Sequence, residues 1–342
     1  MRRLSLLLLG LLAAWSLRAG AAPDFRDSAF EAVAPGASLE LSENYVMQDS
    51  FISAELSFDS FQPVLIGRRY NGYRGAWLAV TADSVVVYKH LRKPERVGGY
   101  RHGLRFGGSL FVTIDAGAKT ARILLGTPDG ESFEQTVEWF AGGPVFLLNQ
   151  GGAEVRTRLS FFPKNIGKSI WIFGDSYMNA STPVRWPYYL HKQGYRSFLN
   201  ESLPGSNSDM MMRAFKNDLR YGTPRYALWL MGMNDGSDKD GAPNGRWLRN
   251  VEEFLSICDA KGIVPVLATI PTVPKRFNEE KNAWVRASGR RFIDFARAVG
   301  AMPDGSWIPG LQYSDQVHTT VAGAKVLELQ CLVDFPEITI NE

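Results

Sequence analysis

The sequence predicts two unlike domains, an all-β sandwich followed by a three-layer α/β domain, and three observations carry that division. From about residue 24 to residue 163, apolar and polar residues alternate in short runs broken by turn signals, with no helical period. From about residue 168 onward, short apolar runs alternate with helix-length segments, the pattern of a parallel sheet whose strands are joined by crossover helices. A length of 342 residues also suits two cores better than one.

Met1-Arg2-Arg3, the apolar run Leu4 to Leu12 and the small residues Ala19-Gly20-Ala21 read as a secretory signal peptide over residues 1–21. The run is too short to span a bilayer, and no cysteine stands at the expected cleavage point to receive a lipid. The mature chain is therefore expected in the periplasm or outside the cell, without membrane insertion. An apolar content of 45% with 21% charged residues is ordinary for a globular protein. The 38 basic and 35 acidic residues become 35 of each once Arg2, Arg3 and Arg18 leave with the leader, and no basic tract remains. That balance argues against nucleic acid or an anionic membrane as partner. Export permits a disulfide between Cys258 and Cys331, but two buried free thiols fit equally well, and the sequence leaves this open.

The first domain, residues 22–165, contains the runs Phe51 to Phe58, Ser84 to Tyr88, Leu110 to Ile114, Ala121 to Leu125 and Val155 to Phe161. Asn71-Gly72, Asp129-Gly130, Gly142-Gly143-Pro144 and Gly151-Gly152 separate them as turns, which predicts an antiparallel sandwich or jelly roll. Trp77 and Trp139 are expected in the core or on a strand face rather than as a sugar platform, and no metal-ligand cluster forms around His90 or His102. The short polar stretch Lys164 to Lys168 links the domains.

In the second domain, residues 166–342, strands are expected at Ile170 to Phe173, Arg196 to Asn200, Tyr226 to Met231 and Ile263 to Ile270. Helices are expected near Arg185 to Gln193, Ser208 to Leu219 and Arg246 to Lys261, with a long one over Glu279 to Val299 and a last one over Thr320 to Val333. This alternation predicts a flavodoxin-like α/β/α sandwich.

Ser176 closes the first buried strand in Gly174-Asp175-Ser176 and opens toward a helix. A serine there stands at the carboxyl edge of the sheet, where substrates reach such folds, and its N–H belongs to a helix start that favours an oxyanion. Acyl transfer by serine needs a base and an orienter for that base. Of four histidines, His90 and His102 lie in the β-domain and His191 ends a helix just before Gly194, which leaves His318. Asp315, three residues earlier, can meet that imidazole through a local turn. No Gly-x-Ser-x-Gly and no His-Glu-x-x-His is present, and no metal or cofactor is called for. Asp175 and Asp235 are expected to fix their own turns by backbone hydrogen bonds rather than to act in catalysis.

Four blocks then follow in order: Gly174-Asp175-Ser176, Leu203-Pro204-Gly205-Ser206-Asn207, Gly232-Met233-Asn234-Asp235 and Asp315-Gln316-Val317-His318. Together they resemble the SGNH hydrolases, also called the GDSL family, over roughly residues 168 to 335. The resemblance implies a triad of Ser176, Asp315 and His318, and an oxyanion hole made by the backbone N–H groups of Ser176 and Gly205 and the side-chain amide of Asn234. The first domain is similar in pattern to jelly-roll domains that precede some carbohydrate-active SGNH esterases, and more loosely to laminin-G-like sandwiches. Such a domain could bind glycan, shape the cleft or cover a surface. The expectation is a serine esterase acting on an acylated, chiefly acetylated, carbohydrate or another small ester. A lipase or thioesterase of the same family, and a glycan-binding protein with an inactive hydrolase domain, are the alternatives. Tyr177, Trp186 and Trp307 are candidate substrate contacts, with core packing the better reading for any single one of them, and the Gly236 to Arg246 loop is expected to border the cleft.

Overall fold

The computed structural model describes residues 30–41, 50–70, 74–90, 93–117, 120–139, 144–178, 182–238 and 242–340. The leader at residues 1–21 and the turns at Asn71-Gly72 and Gly142-Gly143 lie outside them. Chain contacts divide the protein into two units, Met1–Asn165 and Ile166–Glu342.

Among the described residues the first unit is all β, with two antiparallel sheets of six strands each. One runs in the order β1 (Glu31–Val33), β12 (Val155–Pro163), β3 (Ser50–Ser57), β8 (Ser109–Ala116), β9 (Thr120–Gly126) and β10 (Ser132–Glu138). The other runs β2 (Ser38–Leu41), β11 (Val145–Asn149), β4 (Val64–Tyr70), β5 (Arg74–Val80), β6 (Ser84–His90) and β7 (Pro94–Arg101). The alternation in the sequence becomes the two faces of each strand. On the inner face, Ile52 pairs with Ile114, Ala54 with Val112 and Leu56 with Leu110. These join Ile66, Leu78 and Val87 of the other sheet in one core. A register slip of one residue would turn the whole set outward, and each buried Val, Leu or Ile contributes about 1.5–3 kcal/mol. Edge strand β7 exposes Glu95 and Arg96, charges that discourage further strand pairing. Trp139 is in the core, whereas Trp77 is half-buried on a sheet face, stacked on Tyr88 at 6.1 Å. His102 accepts the Leu104 N–H at Nδ1 (3.1 Å), so its Nε2 carries the proton and donates to the Thr81 carbonyl at 3.2 Å, a structural role.

The second unit is built on a parallel sheet of β13 (Ile170–Gly174), β14 (Phe198–Ser202), β15 (Tyr226–Leu230), β16 (Val264–Ala268) and β17 (Phe292–Ile293). Its order, β14-β13-β15-β16-β17, is the second-first-third-fourth-fifth order of flavodoxin-like sheets. The helices are α1 (Pro187–Lys192), α2 (Ser208–Asp218), α3 (Gly245–Lys261), α4 (Glu279–Ala287), α5 (Phe295–Ala298) and α6 (Val321–Asp334). Helices α2 and α3 pack together, as α6 does with α1 and α5, giving an α/β/α arrangement. Strands β13 and β15 are buried throughout, so they read as unbroken apolar runs.

One expectation is corrected. The single helix over Glu279 to Val299 is instead α4, a turn, the short edge strand β17 and α5. Gly289, at φ +70°, takes the left-handed conformation that ends a helix, and Phe292 and Ile293 then pair with β16. Val285, Phe292, Ala296 and Val299 keep nearly helical spacing across the break, which hides it from a periodicity reading. Cys258 and Cys331 are both buried and free.

Candidate active site

The site begins with register. Gly174 at the end of β13 lies opposite Ser202 of the edge strand β14 and Leu230 of β15, so these three neighbouring strands finish level with one another. Ser176, Gly205 and Asn234 follow those ends by two, three and four residues and therefore leave the same carboxyl edge together.

Ser176 opens a single 3-10 turn, Ser176–Met178. Asp175 shapes this turn, its Oδ1 accepting the Tyr177 N–H at 3.0 Å and its carbonyl accepting the Met178 N–H at 3.1 Å. From β14, Asn200 supports the turn by donating Nδ2 to the Met178 carbonyl at 2.8 Å. Asp175 is buried beside a cavity of about 20 Å³ lined by Met178, Met233, Ile270, Phe295 and Leu327. Burial raises its pKa to about 7, with Asp235 adding to the rise, while the Tyr177 N–H and the charges of Arg185 and Arg276 oppose it.

His318 is delivered by the loop before α6. Its Nε2 lies 2.9 Å from Ser176 Oγ, and its Nδ1 lies 2.6 Å from Asp315 Oδ2. The other oxygen of Asp315 accepts the backbone N–H groups of Val317 and His318, each at 2.9 Å. Partial burial pushes the Asp315 pKa up, but these N–H bonds and the imidazole outweigh it and bring the pKa down to about 2. A carboxylate with three donors stays ionised, holds Nδ1 protonated and leaves Nε2 as the acceptor for the serine hydroxyl. Gln316, at φ +57°, turns the loop back so that the Tyr313 N–H reaches the His318 carbonyl at 2.7 Å. Thr319 Oγ1 anchors the loop to the Val184 carbonyl at 2.6 Å, and Thr320 caps α6.

Gly205 sits at φ +84°, a left-handed conformation that glycine takes without strain, with nothing within 4 Å of where a Cβ would stand. Among the described residues, neither its N–H nor that of Ser176 has an acceptor. Asn234 donates one N–H of its amide to the Ser206 carbonyl at 2.9 Å and accepts Arg276 Nη1 on Oδ1 at 2.7 Å. Ser206 also donates Oγ to the Gly174 carbonyl at 3.1 Å, so one residue ties the loops after β13 and β15 to the loop after β14. Asp235 reaches beyond its own turn: it accepts the Ser208 N–H at 3.0 Å and the Ser208 hydroxyl at 2.5 Å, placing a carboxylate at the start of α2.

The three aromatic candidates are held inside the domain rather than presented to a ligand. Trp186 is 0% exposed, with its indole N–H on Met178 Sδ at 2.8 Å. Trp307 is 7% exposed and donates to the Thr272 carbonyl at 2.8 Å, bracing the loop after β16. Tyr177 is 5% exposed, and its hydroxyl donates to the Val317 carbonyl, joining the serine turn to the histidine loop. His191 stacks on Phe198 at 5.1 Å. The loop after Asn234 is pinned by a buried ion pair, Lys281 Nζ to Asp238 Oδ1 at 2.7 Å; its residues 239–241 lie outside the described ones. Sequence reasoning gave no role to Ser206 or Arg276. Ser206 sits within a recognised block, whereas Arg276 is 42 residues from its partner with no local signal.

Among the described residues no group of His, Cys, Asp and Glu could hold a metal ion, and no helix is long and apolar enough to cross a membrane. The arrangement can deprotonate a serine hydroxyl through a histidine whose orientation is fixed, beside N–H donors that have no acceptor among the described residues.

No family model matches the sequence, and no curated protein matches it. Solved structures with which it shares similarity include a GDSL-like lipase from Bacteroides thetaiotaomicron, with 17% identity over 51% of this chain and 90% of that one, at a TM-score of 0.40. A member of the lipolytic G-D-S-L family from Veillonella parvula is 16% identical over 49% of this chain and 97% of its own, with a TM-score of 0.40. A psychrotrophic esterase from Pseudoalteromonas is 17% identical over 49% and 96%, with a TM-score of 0.39. Likenesses at that level leave the functional reading to the residues themselves.

Proposed function

We propose that this chain is an exported serine esterase of the SGNH type that removes acyl groups, chiefly acetyl, from a carbohydrate. The observation that carries the reading is the relay from Ser176 Oγ to His318 Nε2 at 2.9 Å and from His318 Nδ1 to Asp315 Oδ2 at 2.6 Å. In this reading Ser176 Oγ attacks the ester carbonyl while His318 takes its proton, and Asp315 stabilises the imidazolium that forms. The oxyanion is held by the N–H groups of Ser176 and Gly205 and by the amide of Asn234. Each such donor is worth about 3–4 kcal/mol of barrier. His318 then returns the proton to the leaving sugar oxygen. Water, deprotonated by the same histidine, releases the acid and frees Ser176.

Export rests on the leader sequence. The carbohydrate rests on that leader and on the preceding β-sandwich, read as a jelly-roll accessory domain by analogy with two-domain carbohydrate esterases. The test is acetate release from a panel of acetylated plant and bacterial polysaccharides, comparing the mature protein with Ser176→Ala near neutral pH. Release by the wild type alone is expected, with folding unchanged in the variant. Release retained by Ser176→Ala would refute the assignment. Rates rising from acetyl to long-chain esters would point to a lipase or thioesterase instead. Tight glycan binding without turnover would point to a binding protein.

A further inference from the structure

We infer that Arg276 is a positioning residue for the oxyanion hole, orienting and polarising the Asn234 amide. The inference rests on the esterase reading above and goes beyond it, because no motif includes Arg276. A carboxamide has two donor N–H bonds and one acceptor oxygen. In Asn234 the oxygen is taken by Arg276 Nη1 at 2.7 Å, and one N–H is taken by the Ser206 carbonyl at 2.9 Å. Among the described residues the other N–H has no acceptor, and Asn234 follows the same carboxyl edge of the sheet as Ser176 and Gly205. Arginine can only donate, so its contact also fixes which end of the amide is oxygen. A cation on the carbonyl oxygen draws electron density from the nitrogen and strengthens the remaining N–H as a donor at the moment an oxyanion forms.

Arg276 is itself held firmly. It exchanges backbone hydrogen bonds with Val273 at 2.9 and 3.2 Å, and its guanidinium also reaches the Met233 carbonyl at 3.2 Å. The loop that carries it is braced by Trp307 on the Thr272 carbonyl and by Asn278 Nδ2 on the carbonyls of Pro271 and Arg276. Below it, Lys281 Nζ binds Asp238 and the Gly236 carbonyl, fixing the loop after Asn234 to the same support. A residue needed only to close this loop would not have to place its guanidinium on the amide.

The test is a double-mutant cycle in the full mature chain, with an aryl acetate as substrate and Ser176→Ala as the background control. Arg276→Met should lower kcat about 10- to 100-fold with KM within about twofold, since the lost interaction matters only in the transition state. Arg276→Lys, which keeps the charge, should recover part of the loss and serves in its place if the Met variant does not fold. In an Asn234→Ala background, the same Arg276 substitution should change kcat less than about twofold, because its target is gone. An undiminished loss in that background, a rise in KM alone, or unchanged kcat would each overturn the assignment. A wild type without Ser176-dependent turnover would overturn the esterase reading first, and this inference with it.

Discussion

Asp175→Asn tests how the turn that carries Ser176 is built. The carboxyl of Asp175 is buried against an apolar cavity, and its pKa rises from 3.8 to about 7. A pKa raised in the folded state means that the folded protein holds the proton where the unfolded chain has released it. The stability this group contributes is thus full below pH 4 and is lost as pH rises to about 7. At 1.36 kcal/mol per pH unit, that loss is about 4 kcal/mol. Asparagine keeps an oxygen for the Tyr177 N–H but has no proton to exchange. Its stability relative to wild type should therefore improve steadily between pH 4 and 7 and level off above. For a unit of this size, about 4 kcal/mol corresponds to a shift of roughly 8–16 °C in melting temperature between the two ends. Urea unfolding at pH 4.5, 6 and 7.5, followed by the fluorescence of the buried tryptophans of the second unit, measures the difference. A difference independent of pH, or one that worsens as pH rises, would refute the reasoning.

Three further outcomes are expected. Lys281→Met leaves Asp238 buried without its cation and should cost about 3–5 kcal/mol in urea unfolding; a cost under about 1 kcal/mol would show the pair to be dispensable. Gly205→Ala meets no side-chain clash, so its backbone at φ +84° should cost only about 1–2 kcal/mol. Its displaced N–H should nevertheless lower kcat on an aryl acetate by at least tenfold, and full activity would remove Gly205 from the oxyanion hole. Burial pushes the Cys258 thiol up to about 12 and raises that of Cys331 as well, so a disulfide-exchange reagent should label neither in the native protein and both after unfolding. Rapid labelling of the native protein would contradict that burial.

The parts of the site legible in the sequence are those encoded locally. Ser176 follows a buried strand directly, and Asp315 and His318 are three residues apart, so a single turn brings carboxylate and imidazole together. The β-sandwich was equally legible, because period-two alternation is imposed on every strand that has one face in the core. What escaped depends on side chains meeting across the fold. Arg276 comes from the loop after the fourth strand to the end of the third, and Ser206 joins three loops through one carbonyl and one hydroxyl. Trp186 and Trp307 follow or precede the site in sequence, yet packing turns both inward. Gly289 ends a helix inside a stretch whose apolar spacing stays nearly helical, so periodicity alone carries the helix across the fifth strand.

The most direct measurement is covalent labelling of the mature protein by a small aryl or fluoro phosphonate at neutral pH, with the modified residue located by peptide mass spectrometry. On the proposed mechanism, Ser176, whose Oγ lies 2.9 Å from His318 Nε2, should take up one equivalent of phosphonyl group. The adduct should vanish in Ser176→Ala and form far more slowly in His318→Ala. No adduct on Ser176, or labelling that proceeds at the same rate without His318, would contradict the proposed relay from Asp315 through His318 to Ser176.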